Sequence, residues 1–237
     1  MNSITNKTVP KSSFQRIRFK TTIKEIRVTN KDALDLVQSS SVSDINKLYK
    51  GAHVKFKRWI PYTHHAIVTN IDKGDSKFTV VHFNNEQVHD SKYKSKITEE
   101  IMTFSKTDDV LLVHYNIDQL SIPHFKRLPN QASVAVAKYF SDKQNAWPYN
   151  ILTHNCEHFV FSCTTGYAIS FQNMILFVMV LSAFKQVSEE AVKKLVEFKI
   201  SQKNKYVEYN AGDCHVTITL KTGETVTVPL KSQQNNI

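Results

Sequence analysis

Residues 149–166 read YNILTHNCEHFVFSCTTG and place a cysteine at what reads as the start of a helix. Asn155 is a suitable N-cap, which makes Cys156 the first helical residue. Backbone N–H groups without intrahelical partners, and the positive end of the helix dipole, favour a thiolate there. A protonated imidazole nearby would add to this, and such surroundings can bring a thiol from about 8.5 to below neutrality. The same N–H groups, that of Cys156 among them, could hold a developing oxyanion. One helix start could thus supply both nucleophile and electrophilic support. Packing is an equally good account of the pattern, because Cys156, Phe159, Val160 and Cys163 form one helical stripe and cysteine is commonly buried. Cys163 and Cys214 carry no sign of activation and read as packing.

A thiol needs a base, and the base an orienting partner. THHAIVTNI and KFTVVHF are two β-rich runs around the turn residues Asp72–Asp75. If Ile71 pairs with Ser76 across that loop, antiparallel register sets His65 opposite His82, with Cβ atoms about 5 Å apart. His65 would then be the base, and His82 would fix its tautomer. His64 would point to the other face and reads as surface or loop. A one-residue slip would separate the pair. His154 and His158, four apart, suit a metal, but Cys156 points about 200° from both on a helix. Structural zinc needs four ligands in recognisable pairs, so no metal site and no cofactor are expected.

The elements that must position these groups are legible in outline. Val54 and Phe56 alternate with His53, Lys55 and Lys57 as a strand, and LLVHYNI from Leu111 is another. LPNQASVAVAKYF opens a helix with Asn130 as N-cap and a buried face of Ala132, Ala135, Val136 and Tyr139. The cysteine helix ends at Gly166. SSSVSD, Ser39 to Asp44, reads as a loop leading into a short helix. SEEAVKKLVEF reads as an amphipathic helix capped by Ser188, and CHVTITLKTGETVTVPL as a hairpin.

The chain has 237 residues, 41% hydrophobic and 22% charged, with a formal net charge of +10. This composition is that of a globular protein. The Lys and Arg residues are scattered, and no RNP-type motif, zinc finger or Walker loop occurs, so nucleic acid is not expected as a partner. Three cysteines do not make a disulfide framework, and the first residues lack the apolar core of a secretory signal. An intracellular, cytoplasmic setting is expected. Met174 to Phe184, MILFVMVLSAF, is too short to span a bilayer. It suits a buried core helix or a membrane-interface segment equally, with Leu176, Phe177 and Met179 as the residues that would enter the interface.

NCEHF followed by Gly166 resembles the cysteine motif of the lecithin:retinol acyltransferase family, and HHAIV with VVHF resembles its two-histidine hairpin. The order His, His, Cys fits, as does the helix before the cysteine. The resemblance implies an α+β, permuted papain-like fold, with helices on an antiparallel sheet. It implies a thioester mechanism on phospholipid, with Cys156 as nucleophile, His65 as base and His82 as orienting histidine. Residues 47–172 would form this domain, after an extension (1–46) and before a C-terminal part (173–237) holding the apolar segment, helix and hairpin. Three features depart from the family: Ala66 follows the first histidine where an aromatic residue is usual, the hairpin loop is longer than in the small phospholipid acyltransferases, and the apolar run is short for a membrane anchor. A non-catalytic module of the same fold, and a cysteine peptidase or amidase, are the alternatives.

Overall fold

The computed structural model describes residues 37–56, 63–84, 96–105, 110–116, 125–143, 154–174, 194–195, 197–200, 205–210, 212, 214–220 and 222–230. Leu176, Phe177, Met179 and the expected cap Ser188 lie outside them, and residues 197–200 are helical. The fold is α+β. Six antiparallel strands form one sheet: β1 (Val37–Ser41), β2 (His53–Phe56), β3 (His64–Asp72), β4 (Lys77–Asn84), β5 (Lys96–Thr103) and β6 (Val110–Tyr115). Their order is β1-β6-β2-β3-β4-β5. Two helices, α1 (Asn130–Asp142) and α2 (Cys156–Thr165), pack on one face. A second sheet, β7 (Val207–Asn210), β8 (His215–Thr219) and β9 (Thr225–Pro229), completes that side, and β8 and β9 are the expected C-terminal hairpin.

The sheet is buried on both faces, so the polar partners of an alternating strand need not meet solvent. One face carries Ile67, Val81, Phe83 and Ile97 against Ala132, Val136 and Phe140 of α1 and Phe159, Val160 and Cys163 of α2. The other carries Val54, Ala66, Val68, Phe78, Val80 and Leu112 under Val42, Ile45 and Leu48. Each such aliphatic or aromatic side chain contributes about 1.5–3 kcal/mol by burial. Residues 37–46 therefore belong to this sheet and its cover. Ser39–Ser41, expected as loop, lie in edge strand β1 paired with β6, and the short helix does follow, a 3-10 turn over Ile45–Lys47 capped by Asp44.

Two glycines set how the helices meet the sheets. Gly51 has φ +84°, and a Cβ there would collide with the Asn130 backbone at the start of α1. Gly166, also at +84°, ends α2 in the left-handed conformation, and a Cβ would strike the Val207 carbonyl of β7. Asn130 itself is the first residue of α1 and not its cap. Pro129 takes the cap position, and the Asn130 carboxamide oxygen accepts from Arg127 at 3.2 Å instead.

Candidate functional site

Helix α2 starts as its sequence requires. The Asn155 side chain accepts from the N–H groups of Glu157 (3.0 Å) and His158 (3.1 Å), and His158 Nδ1 takes the Asn155 N–H at 3.3 Å to close a capping box. This holds Cys156 against the beginning of β3. Its sulfur lies 3.8 Å from the Thr63 carbonyl oxygen, and the His65 backbone N–H also faces it. Those two groups flank residue 64, so the sulfur meets the edge of the strand across His64.

The expected pairing of His65 with His82 does not occur. Asp72 pairs with Lys77, so the loop starts one residue later than the turn residues suggested, and Ile71 meets Phe78 in place of Ser76, a register shift of two. Ser76, not Gly74, takes the positive φ of the turn, at 50°. A bulge at Thr69, between Val68 and Asn70, then shifts the register back by one, and Ala66 lies opposite His82. His82 therefore shares its face with His64. His64 Nε2 and His82 Nδ1 are 2.7 Å apart, and His82 Nε2 is 2.8 Å from a Glu100 carboxylate oxygen. His64, which the sequence suggested was surface or loop, is half-buried and heads this chain.

His65 points to the helix-bearing face and meets a residue that sequence reasoning missed. His53 Nε2 lies 2.6 Å from His65 Nδ1, and His53 Nδ1 lies 2.5 Å from the Tyr115 hydroxyl. The other ring nitrogen of His65 contacts the Thr63 hydroxyl and the Gln172 side-chain amide, both at 2.8 Å. Both rings are buried. Burial first, then the charge of Lys55 and of His64, holds His65 well below its ordinary 6.5, and burial with His65, Lys55 and Arg127 does the same to His53. The signal in the sequence was the run His53, Lys55 on alternate positions. It read as a solvent face, and it is the face beneath α2.

Cys156 also departs from expectation. Burial outweighs the backbone N–H groups of His65, Glu157 and Cys156 itself, and pushes the thiol up to about 11, with the Glu157 carboxylate adding to the rise. At neutral pH the group is a thiol and not a standing thiolate. Glu157 is buried beside it. Its carboxylate accepts from the Ser170 hydroxyl (2.6 Å) and the Gln172 N–H (2.9 Å), and burial raises its pKa against those bonds. Cys163 is buried in the core, and burial raises its thiol as well, while Cys214 is exposed. His154 and His158 stack with ring centroids 6.3 Å apart, and no group that could hold a metal is found among the described residues.

These elements bring a helix-borne thiol to the edge of a strand that carries two histidines. The model of the lecithin retinol acyltransferase family matches residues 46–169, more than half of the chain, and the chain belongs to that family. Its members are acyltransferases and phospholipase-like enzymes. Comparison with curated proteins and with solved structures gives no match.

Proposed function

We propose that the chain takes an acyl group from a phospholipid as a thioester on Cys156 and passes it to water, an amine or an alcohol. The observation that carries this reading is the sulfur of Cys156, held at a helix start against the strand edge from which the His64–His82–Glu100 chain departs. His64, rather than its neighbour, is the base of this proposal. Both ring nitrogens of His65 are engaged inside the protein, and it is bonded to His53, not to His82. His82 orients His64, and Glu100 stabilises the imidazolium that forms.

Because Cys156 rests as a thiol, its proton leaves as the sulfur attacks the ester carbonyl, and His64 receives it. The Cys156 N–H holds the oxyanion. Collapse breaks the ester C–O bond, and the lysophospholipid oxygen leaves with the proton from His64. Water or an amine then adds to the thioester, again giving its proton to His64, and the sulfur departs and is reprotonated. The basic charge of the chain would draw it to anionic membrane, and Leu176, Phe177 and Met179 would enter the interface. Among the described residues no helix is long and apolar enough to cross a bilayer. The test is intact mass after incubation with phospholipid vesicles and acid quench. One acyl mass labile to hydroxylamine is expected on the native chain and none on Cys156→Ala. Lipid hydrolysis with no such adduct at any quench time would overturn the thioester.

A further inference from the structure

The segment after α2 returns to the site and touches both of its halves. The Gln172 carboxamide brackets the residue just before β3: its oxygen accepts from the Thr63 N–H at 2.8 Å and its nitrogen donates to the Thr63 carbonyl at 3.4 Å. That same carbonyl contacts the Cys156 sulfur. The Gln172 backbone N–H, meanwhile, donates to Glu157, the residue after the cysteine. Gln172 is thus fastened to the helix that carries the thiol and to the strand that carries the base.

The polarity of this contact is set by a buried chain of bonds. The Thr164 hydroxyl meets the Val160 carbonyl at 3.0 Å, and a carbonyl only accepts. Thr164 therefore spends its proton there and accepts from Tyr115 at 2.8 Å. Tyr115, donating, accepts from His53 Nδ1–H. A neutral His53 then has its lone pair on Nε2 and accepts from His65 Nδ1–H. This leaves His65 with an acceptor at Nε2, to which the Gln172 amide donates beside the Thr63 hydroxyl. The Thr63 N–H bond independently assigns the carboxamide the same way round.

We propose that Gln172 is a positioning residue of the reaction assigned above. It clamps the Thr63–His65 backbone to the start of α2 and so sets the separation of Cys156 and His64. This rests on the proposed function, and it demands a donor at this position, not only a side chain of that size. Charged or titratable groups acting on His65 are Lys55 and His53 on β2 and His64 beside it; Tyr115 and Arg127 act on His53, and Glu157 on α2 acts on Lys55.

The experiment compares Gln172→Leu and Gln172→Glu with the native chain on a soluble ester, together with their unfolding curves. Gln172→Leu should lower kcat by about 100-fold at every pH, the scale of a misplacement near 1 Å, with KM almost unchanged. Gln172→Glu has the same shape but cannot donate at neutral pH. It should be equally impaired at pH 8 and recover relative to the native chain as pH falls, when His65 takes a proton and donates to the new carboxylate. A merely structural glutamine would leave kcat of the folded fraction and both pH profiles as in the native chain, and that result overturns the proposal. Alkylation of Cys156 by iodoacetamide reads the clamp without any substrate. It should quicken several-fold in Gln172→Leu while Cys214 is unaffected, and an unchanged rate counts against the clamp. If Cys156→Ala retains full turnover, the acyl-transfer reading fails, and the alkylation result still decides whether Gln172 holds the sulfur in place.

Discussion

Two histidine pairs start from adjacent residues of one strand and end in different surroundings. His65 joins His53 in the interior, and that chain runs on through Tyr115 and Thr164 to a helix carbonyl. His64 joins His82 on the opposite face, and that chain ends on the half-exposed carboxylate of Glu100. The inner chain's open acceptor, His65 Nε2, is buried with the Gln172 amide and the Thr63 hydroxyl against it, so an added proton is disfavoured there, whereas a carboxylate beside an imidazole stabilises one. Strand alternation thus separates a structural pair from a pair suited to proton transfer.

The largest effect should come from breaking the outer pair. His64→Ala should lower kcat by about 10²–10⁴-fold, the usual scale for a lost base, with little change in unfolding midpoint. His65→Ala should do the reverse, losing about 1–3 kcal/mol because His53 and Gln172 keep buried polar groups without their partner, while kcat falls far less. Steady-state kinetics beside urea unfolding distinguishes the two. Equal loss of kcat in both variants would mean that the comparison drawn between the pairs is wrong.

Acid should separate them next. Burial holds His53 and His65 below their ordinary 6.5, so the unfolded chain binds more protons than the folded one as pH falls through that value. Stability is full above about 6.5 and is lost below it, by up to about 1.4 kcal/mol per pH unit for each ring. Urea titrations from pH 7.5 to 5 should show this slope, and His53→Leu combined with His65→Leu should flatten it.

How much of this the sequence disclosed depends on the range of the interaction. The cap at Asn155, the stop at Gly166 and a four-residue hairpin loop are local and were readable. The register was not, because Ser76 and not Gly74 adopts the left-handed turn conformation and because the Thr69 bulge is held from β5 by Glu99, whose oxygen accepts the Thr69 hydroxyl at 2.8 Å. Strand β5 itself went unread. Its Glu99 and Glu100 interrupt the apolar alternation, and as an edge strand it can carry them. His53 was hidden for a different reason. A polar residue alternating with valine signals solvent only if the sheet has a wet face, and this one is covered on both.

Thiol chemistry sharpens the contrast at a smaller scale. The helix start alone suggested that Cys156 would alkylate ahead of Cys163 and Cys214 at pH 6 to 7. With burial pushing it up to about 11, Cys156 should react slowly there and accelerate steadily toward alkaline pH. Exposed Cys214 should react first, and Cys163 only on unfolding. Peptide mapping after timed iodoacetamide treatment checks the order. Asn155→Ala should add a modest cost of about 1 kcal/mol in stability through the lost cap.

The smallest effect should be at the end of the outer chain. A Glu100 carboxylate oxygen lies 2.8 Å from His82 Nε2, an ion-pair contact once His82 is protonated, yet the Glu100 side chain is nearly half exposed, so water already screens most of its charge. Glu100→Gln keeps the shape and a hydrogen-bond acceptor while removing the charge that favours an imidazolium. The expected outcome is a few-fold loss in kcat, with KM and unfolding midpoint unchanged. The loss should shrink further at high salt, where the native carboxylate is itself screened. A loss as large as that of His64→Ala would give Glu100 a direct part in the chemistry. No loss at all would mean that His64 and His82 suffice as a pair, and that the carboxylate matters only for holding β5 beside β4.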